Sequence, residues 1–173
     1  MVKPFVEFDL GKLKATTAEA VKALDNAGEK QIESFRQAMG EYSEDILAEA
    51  MQKAPMGKSG FSTSPGELKG SGTVVGPEIE GDAIVYYVAF NKVYARIQDL
   101  GGEIKPKRAR ALFIPLVPGV RPGQKGLIEG IDFVLAKRVV LKGNRYLTGT
   151  VTGRIPTAAE MIGKRATQLM EVA

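Results

Sequence analysis

The 173-residue chain contains no cysteine, no histidine and no tryptophan. Without cysteine there is no disulfide framework, no thiolate nucleophile and no zinc–thiolate site. Without histidine the usual general base near neutral pH and the commonest metal ligand are missing, so Ser–His–Asp and Cys–His arrangements are excluded. Catalysis would fall to carboxylates, lysines and hydroxyls with strongly tuned pKa values. An enzyme is therefore disfavoured, and no catalytic residue, metal ligand, cofactor or small-molecule substrate is assigned. There is also no apolar run near the roughly 18 residues that cross a bilayer. The opening Met-Val-Lys-Pro-Phe-Val-Glu-Phe-Asp carries acids where a signal peptide has its apolar stretch. These two features predict a protein made and used in a cytoplasm, with no membrane partner.

What is present is ordinary globular material, 44% hydrophobic and 25% charged, enough for one domain over 1–173 with its own core. Residues 4–10 alternate loosely and predict a short edge strand. Over 11–54 the apolar residues recur at three- and four-residue steps through Leu13, Val21, Leu24, Ile32, Phe35, Met39, Tyr42, Ile46 and Ala50. Gly40 interrupts this run at a cost of about 1 kcal/mol relative to Ala. The expectation is a helix over 12–38 and a second over 42–53, entered through Ser43 and ended by Ala54-Pro55. A helix over 12–38 would extend ~40 Å at ~1.5 Å per residue, longer than a small sheet is wide, so part of its stripe is expected to pack on a neighbouring subunit.

Residues 55–72 are rich in Gly, Pro and Ser and predict a flexible loop. Strand formers follow at 73–75 and 83–90, with further strands at 112–117, 131–135 and 139–141. A helical turn over 94–100 is stopped by Gly101-Gly102, Ala136-Lys137-Arg138 separates two strands, and Gly143-Asn144 turns the chain. A C-terminal helix is expected from Pro156 to about 172. Helices first, strands in the middle (73–150) and a helix last (156–172) make an α+β fold with a central, mainly antiparallel sheet and long loops.

Charge is unevenly spread. Between Arg96 and Arg145 eleven basic residues face four acidic ones, a balance of +7, so the remainder carries −3 against the total of +4. Lys105, Lys107, Arg108, Arg110, Arg121 and Lys125 form a basic arm over 103–125. One reading is a surface for phosphates, acting by counterion release without reading base sequence. The plainer reading is a solvated loop. Phe113 alone among these cations gives no stacking platform for single strands. Asp99 and Glu103, flanking the Gly-Gly turn, are the one candidate pair of catalytic acids. Their plainer reading is a turn residue and a solvated neighbour of the arm.

Several local features, taken in order, resemble the bacteriophage tail-completion or head–tail joining proteins, the minor tail-component family of long-tailed phages, which overlaps the virion morphogenesis family of Mu-like phages. The features are a helical half closing at Ala54-Pro55, then Gly66-Glu67-Leu68-Lys69-Gly70-Ser71, then Tyr94-Ala95-Arg96-Ile97-Gln98-Asp99-Leu100-Gly101-Gly102. Leu112-Phe113-Ile114-Pro115 and Tyr146-Leu147 complete the series. The residues that carry it are thus Pro55, Leu68, Ser71, Tyr94, Ala95, Gly101, Gly102, Pro115, Tyr146 and Leu147. The chain departs from the family in having Asp99 where Glu or His is common, a longer loop over 57–64 and an insertion over 118–130. The resemblance implies a virion structural protein without an active site. It would form a homo-oligomeric ring, a hexamer, between the tail tube and the head–tail connector or stopper, assembled in the host cytoplasm. If the basic arm faced the channel, it would meet double-stranded DNA in transit.

Overall fold

A computed structural model describes residues 28–57, 66–80 and 83–172. In chain order they form α1 (Glu29–Lys53), a 3-10 turn (Lys69–Ser71), β1 (Gly72–Glu80), β2 (Ala83–Phe90), α2 (Ala95–Leu100), β3 (Gly101–Ile104), β4 (Leu112–Pro115), β5 (Phe133–Ala136), β6 (Val139–Lys142) and α3 (Thr148–Val172). This is an α+β arrangement in which the ladders of all three sheets are antiparallel. Among the described residues the strands divide among three two-stranded ribbons, β1–β2, β3–β6 and β4–β5, instead of joining one central sheet. The expected edge strand at 4–10, the helix before residue 28 and the part of the loop at 58–65 lie outside the described residues.

Phe35, Met39, Tyr42, Ile46 and Ala50 are buried on one stripe of α1, as their spacing requires. The helix runs unbroken through Gly40, correcting the expected division into two. The reason is a close approach: a Cβ on Gly40 would lie 3.3 Å from the Tyr86 hydroxyl oxygen, and that hydroxyl donates to the Arg36 carbonyl at 2.9 Å. The Tyr86 ring thus uses the space that a side chain would fill, and this packing offsets the low propensity of glycine. Ser43 is not an entrance either. It is buried in mid-helix and its hydroxyl donates back to the Met39 carbonyl at 2.8 Å. Ala54 ends α1, its extended backbone turning the chain into Pro55.

The last helix also differs from expectation. It begins at Thr148, so Pro156 lies inside it. Pro156 removes the donor that the Thr152 carbonyl would use, but both residues are exposed and water can take that carbonyl. One residue pair further on, the hydroxyls of Tyr42 and Thr157 both donate to the Arg154 carbonyl, at 2.8 and 3.3 Å, which ties this turn to α1.

α1 packs on the β1–β2 ribbon and on α3. The core is built from its stripe, from Ile84, Tyr86, Val88 and Phe90 of β2, and from Ala158, Ile162 and Ala166 of α3. Leu68, Tyr146 and Leu147 join the same cluster. Ion pairs Glu49–Arg154 (2.7 Å) and Glu41–Arg165 link α1 to α3 outside it. The chain beyond α2 behaves differently. From Leu100 to Arg145 not one residue is buried.

Candidate functional site

The registers explain why that segment has no core. Gly101 to Ile104 pair with Lys142 to Val139, and Leu112 to Pro115 pair with Ala136 to Phe133. The two ladders are nested, so 101–142 is one long hairpin arm with a tip loop over 116–132. It is not a row of adjacent strands. Residues 105–111 on the outgoing side are opposed by only 137 and 138 on the returning side, which makes a wide bulge between the ladders.

The bulge holds four of the six expected cations, Lys105, Lys107, Arg108 and Arg110, all exposed. Arg121 and Lys125 sit in the tip loop, beyond the four-residue β4–β5 ladder, about 13 Å further at ~3.3 Å per residue. The six therefore do not make one patch. In their place Lys137 and Arg138, which read in the sequence as a spacer between two strands, come opposite the bulge and enlarge the cluster there. Only the nested pairing shows this, and no local signal in Ala136-Lys137-Arg138 announces it. Glu103 sits among these cations, 2.8 Å from Lys105 and 3.4 Å from Arg138.

Beyond the bulge the ribbon is apolar throughout. By strand alternation Phe113, Pro115, Phe133 and Leu135 share one face and Leu112, Ile114, Val134 and Ala136 the other. The Phe113 and Phe133 rings stack at 4.6 Å. All eight residues stay at least partly open to solvent. A two-stranded ribbon of this kind is marginal alone in water, and here it carries partly open apolar residues on both of its faces.

The base of the arm is the reverse case, closely packed and hydrogen-bonded around buried side chains. The family-like residues Ala95, Gly101, Tyr146 and Leu147 meet there around Asp99, which is only 1% exposed. The Leu147 amide donates to Asp99 Oδ1 at 2.8 Å, and the Thr148 amide donates to both carboxylate oxygens at 3.3 Å. Asp99 therefore caps the positive end of α3 from across the chain. The amides of Asn144 and Arg145 donate to the carbonyls of Gln98 and Asp99 at 2.9 and 2.8 Å, covering the open end of α2. Tyr146 donates to the Ala95 carbonyl at 3.2 Å and sets its ring edge-on to Phe90. Burial, with the Asp99 carboxylate nearby, pushes the Tyr146 phenol well above its ordinary pKa.

Close packing at this joint demands glycine. A Cβ on Gly143 would lie 2.4 Å from the Asp99 carbonyl oxygen, and Gly101 has φ +77° with Gly143 N only 2.5 Å from where its Cβ would be. Asp99 is thus a cap with its oxygens occupied, while Glu103 is an exposed ion-pair partner of Lys105 and Arg138. Of the other family-like residues, Leu68 is buried and accepts through its carbonyl from the Ser71 hydroxyl at 2.8 Å. Pro55 follows the end of α1, Pro115 closes β4, and Tyr94 and Gly102 are exposed beside α2 and on β3.

Comparison with family models, with curated proteins and with solved structures finds no match. The arm and its joint must be interpreted from their own chemistry. Among the described residues no group of three or more Asp and Glu is placed to hold a metal ion, and no helix is long and apolar enough to cross a membrane.

Proposed function

We propose that this chain is a virion structural protein of the bacteriophage neck, a tail-completion or tail-terminator-type ring subunit that joins the tail tube to the head connector. It acts by surface complementarity, with no bond-making of its own. The observation that carries this reading is the 101–142 arm, cationic at its bulge, apolar along its ribbon and without a single buried residue. A segment of this length without a core is explained when its burial comes from neighbours. The hydrogen-bonded, closely packed joint around Asp99 supports the same reading, because it ties both ends of the arm to the body. The order of family-like motifs supplies the neck assignment, and it implies as partners further copies of this chain, the tail tube and the connector or stopper.

Negative-stain images of the purified protein test it. Rings of one symmetry with a central hole are the expected result. A monodisperse monomer at every concentration, unable to restore joining of heads to tails, counts decisively against it.

The bulge favours a second reading, a sequence-independent nucleic-acid module. Lys105, Lys107, Arg108 and Arg110 would then contact phosphates, and log affinity for duplex DNA would fall with log salt at a slope of about −0.9 per phosphate. Reversing those four charges would remove the binding. No binding at low salt ends this alternative.

A further inference from the structure

We propose that the root of the arm carries a contact surface for the phosphates of duplex DNA. Lys137, Arg138 and Lys142 of the returning chain act there with the four bulge cations, and Glu103 holds Lys105 and Arg138 until phosphate displaces it. This deepens the nucleic-acid reading and rests on it, and it applies equally to a lone subunit and to a ring.

The nine basic and three acidic residues of 101–142 are divided unequally along the arm. The tip loop over 116–132 balances Arg121 and Lys125 against Glu129 and Asp132, and the β4–β5 ladder has no charge. The β3–β6 ladder and the bulge therefore keep seven cations against Glu103 alone, which is the arm's whole excess of +6.

The pairing register sets the direction of this charge. Gly102, Ile104, Val139 and Leu141 share one face of the β3–β6 ladder. A Cβ on Gly102 would lie 3.5 Å from the Ile97 side chain, so that face is turned to α2. Glu103, Val140 and Lys142 share the opposite face and are exposed. Lys105 and Arg138 follow on this outer face at the next alternating positions, and their ion pairs with Glu103 at 2.8 and 3.4 Å agree with that placement.

The chemistry favours phosphate over an acidic protein. Contacts between proteins centre on apolar and aromatic side chains and are poor in lysine. The bulge reads Lys105-Pro106-Lys107-Arg108-Ala109-Arg110-Ala111 and has no large apolar side chain. Contacts with DNA are polar and strongly positive, which suits it. No aromatic ring stands among these residues to stack on unpaired bases, so the backbone of a duplex is the match. In the free protein the Glu103 carboxylate occupies Lys105 and Arg138. Exposed ion pairs of this kind are weak, and phosphate takes its place.

Fluorescence anisotropy of a short labelled duplex of mixed sequence, read from about 50 to 200 mM salt, tests this on the full-length protein. Lys137→Gln with Arg138→Gln is expected to weaken binding at the low-salt end by at least about tenfold. The salt slope should fall by roughly 1.8 per subunit, from ~0.9 for each lost phosphate. Arg121→Gln with Lys125→Gln removes the same net charge from the tip and is expected to leave the slope as it was. Glu103→Gln is expected to tighten binding about two- to fivefold. Glu129→Gln, the same change at the tip, is expected not to. All these residues are exposed, so circular dichroism is expected to be unchanged. Equal losses from the two cation pairs, or equal gains from the two acid variants, overturn the root surface and leave a general attraction to nucleic acid standing. Polyglutamate that competes as well as duplex, charge for charge, overturns phosphate in favour of an acidic protein surface. Tighter binding of single strands overturns the duplex. No binding by the unaltered protein at the low-salt end overturns this surface and the nucleic-acid reading together, with the ring reading untouched.

Discussion

Replacing Asp99 with Ala removes the acceptor for the first amides of α3. In the native joint the Leu147 amide donates to Oδ1 at 2.8 Å and the Thr148 amide to both oxygens at 3.3 Å. Leu147 and Asp99 are each 1% exposed, so water does not replace the lost acceptor without rearrangement. A buried donor left unmade costs about 1–3 kcal/mol, and loss of a helix cap typically about 1 kcal/mol. Allowing for overlap between the two, the expected loss is about 3 kcal/mol. For a chain of this size each kcal/mol lowers Tm by roughly 2–4 °C, so a fall of about 6–12 °C follows. Asp99→Asn keeps one oxygen and loses mainly the charge at the helix end, about 0.3–1 kcal/mol. Denaturant titration of the three proteins measures these differences. Amide exchange locates them, with Leu147 and Thr148 losing protection ahead of the α1 core. If Asp99→Ala costs under about 0.5 kcal/mol, the cross-chain cap is not what holds the joint, and α3 begins at Thr148 for some other reason.

Tyr146→Phe removes the hydroxyl that reaches the Ala95 carbonyl and is expected to cost about 1–1.5 kcal/mol in the same titration, with the edge-on contact to Phe90 retained. Gly143→Ala, whose Cβ would overlap the Asp99 carbonyl, is expected to cost more than about 3 kcal/mol. Gly123→Ala, in open space at positive φ, should cost only about 1–2 kcal/mol, so similar losses at the two positions would contradict close packing at Gly143. Hydrogen bonds from Lys53 and then Arg154 hold the Glu49 carboxyl below its ordinary value of 4.5. A carboxylate lowered in the folded state contributes stability above that ordinary value and loses it as pH falls through the folded one. Glu49→Gln should therefore be the less stable protein at pH 7, and its deficit should shrink steadily on acidification below about pH 4.5, as followed by thermal melts.

The elements that could be read from the chain are those whose signals are local. Phe35, Met39, Tyr42, Ile46 and Ala50 mark the stripe of α1, Ala54-Pro55 its end, and Gly101 the end of α2, and each stands in the structure where its spacing places it. Gly40 and Pro156 misled because their propensity costs are offset by distant or solvent partners: the Tyr86 ring for one, and an exposed turn beside Tyr42 for the other. The division of the strands into three ribbons was beyond local reading for a similar reason. Residues 131–135 and 139–141 look like neighbours, yet β5 returns to β4 and β6 to β3, so pairing is decided by the nested closure of the hairpin. The cationic residues of 103–125 were visible individually. Their separation into bulge and tip, and the arrival of Lys137 and Arg138, depend on that register. Asp99 stood out as part of a turn, but its role depends on amides 48 and 49 positions later.

Gly101 and Lys142 sit opposite each other in one ladder, so the chain leaves the body and re-enters it at the same doorway. Whatever lies between is invisible to the interior, and its length can change without disturbing Tyr146, Leu147 or the helices. Natural variation among kindred chains should then gather between these two residues. A protein trimmed there to a tight turn would keep its melting cooperativity while losing whatever the projecting limb grips.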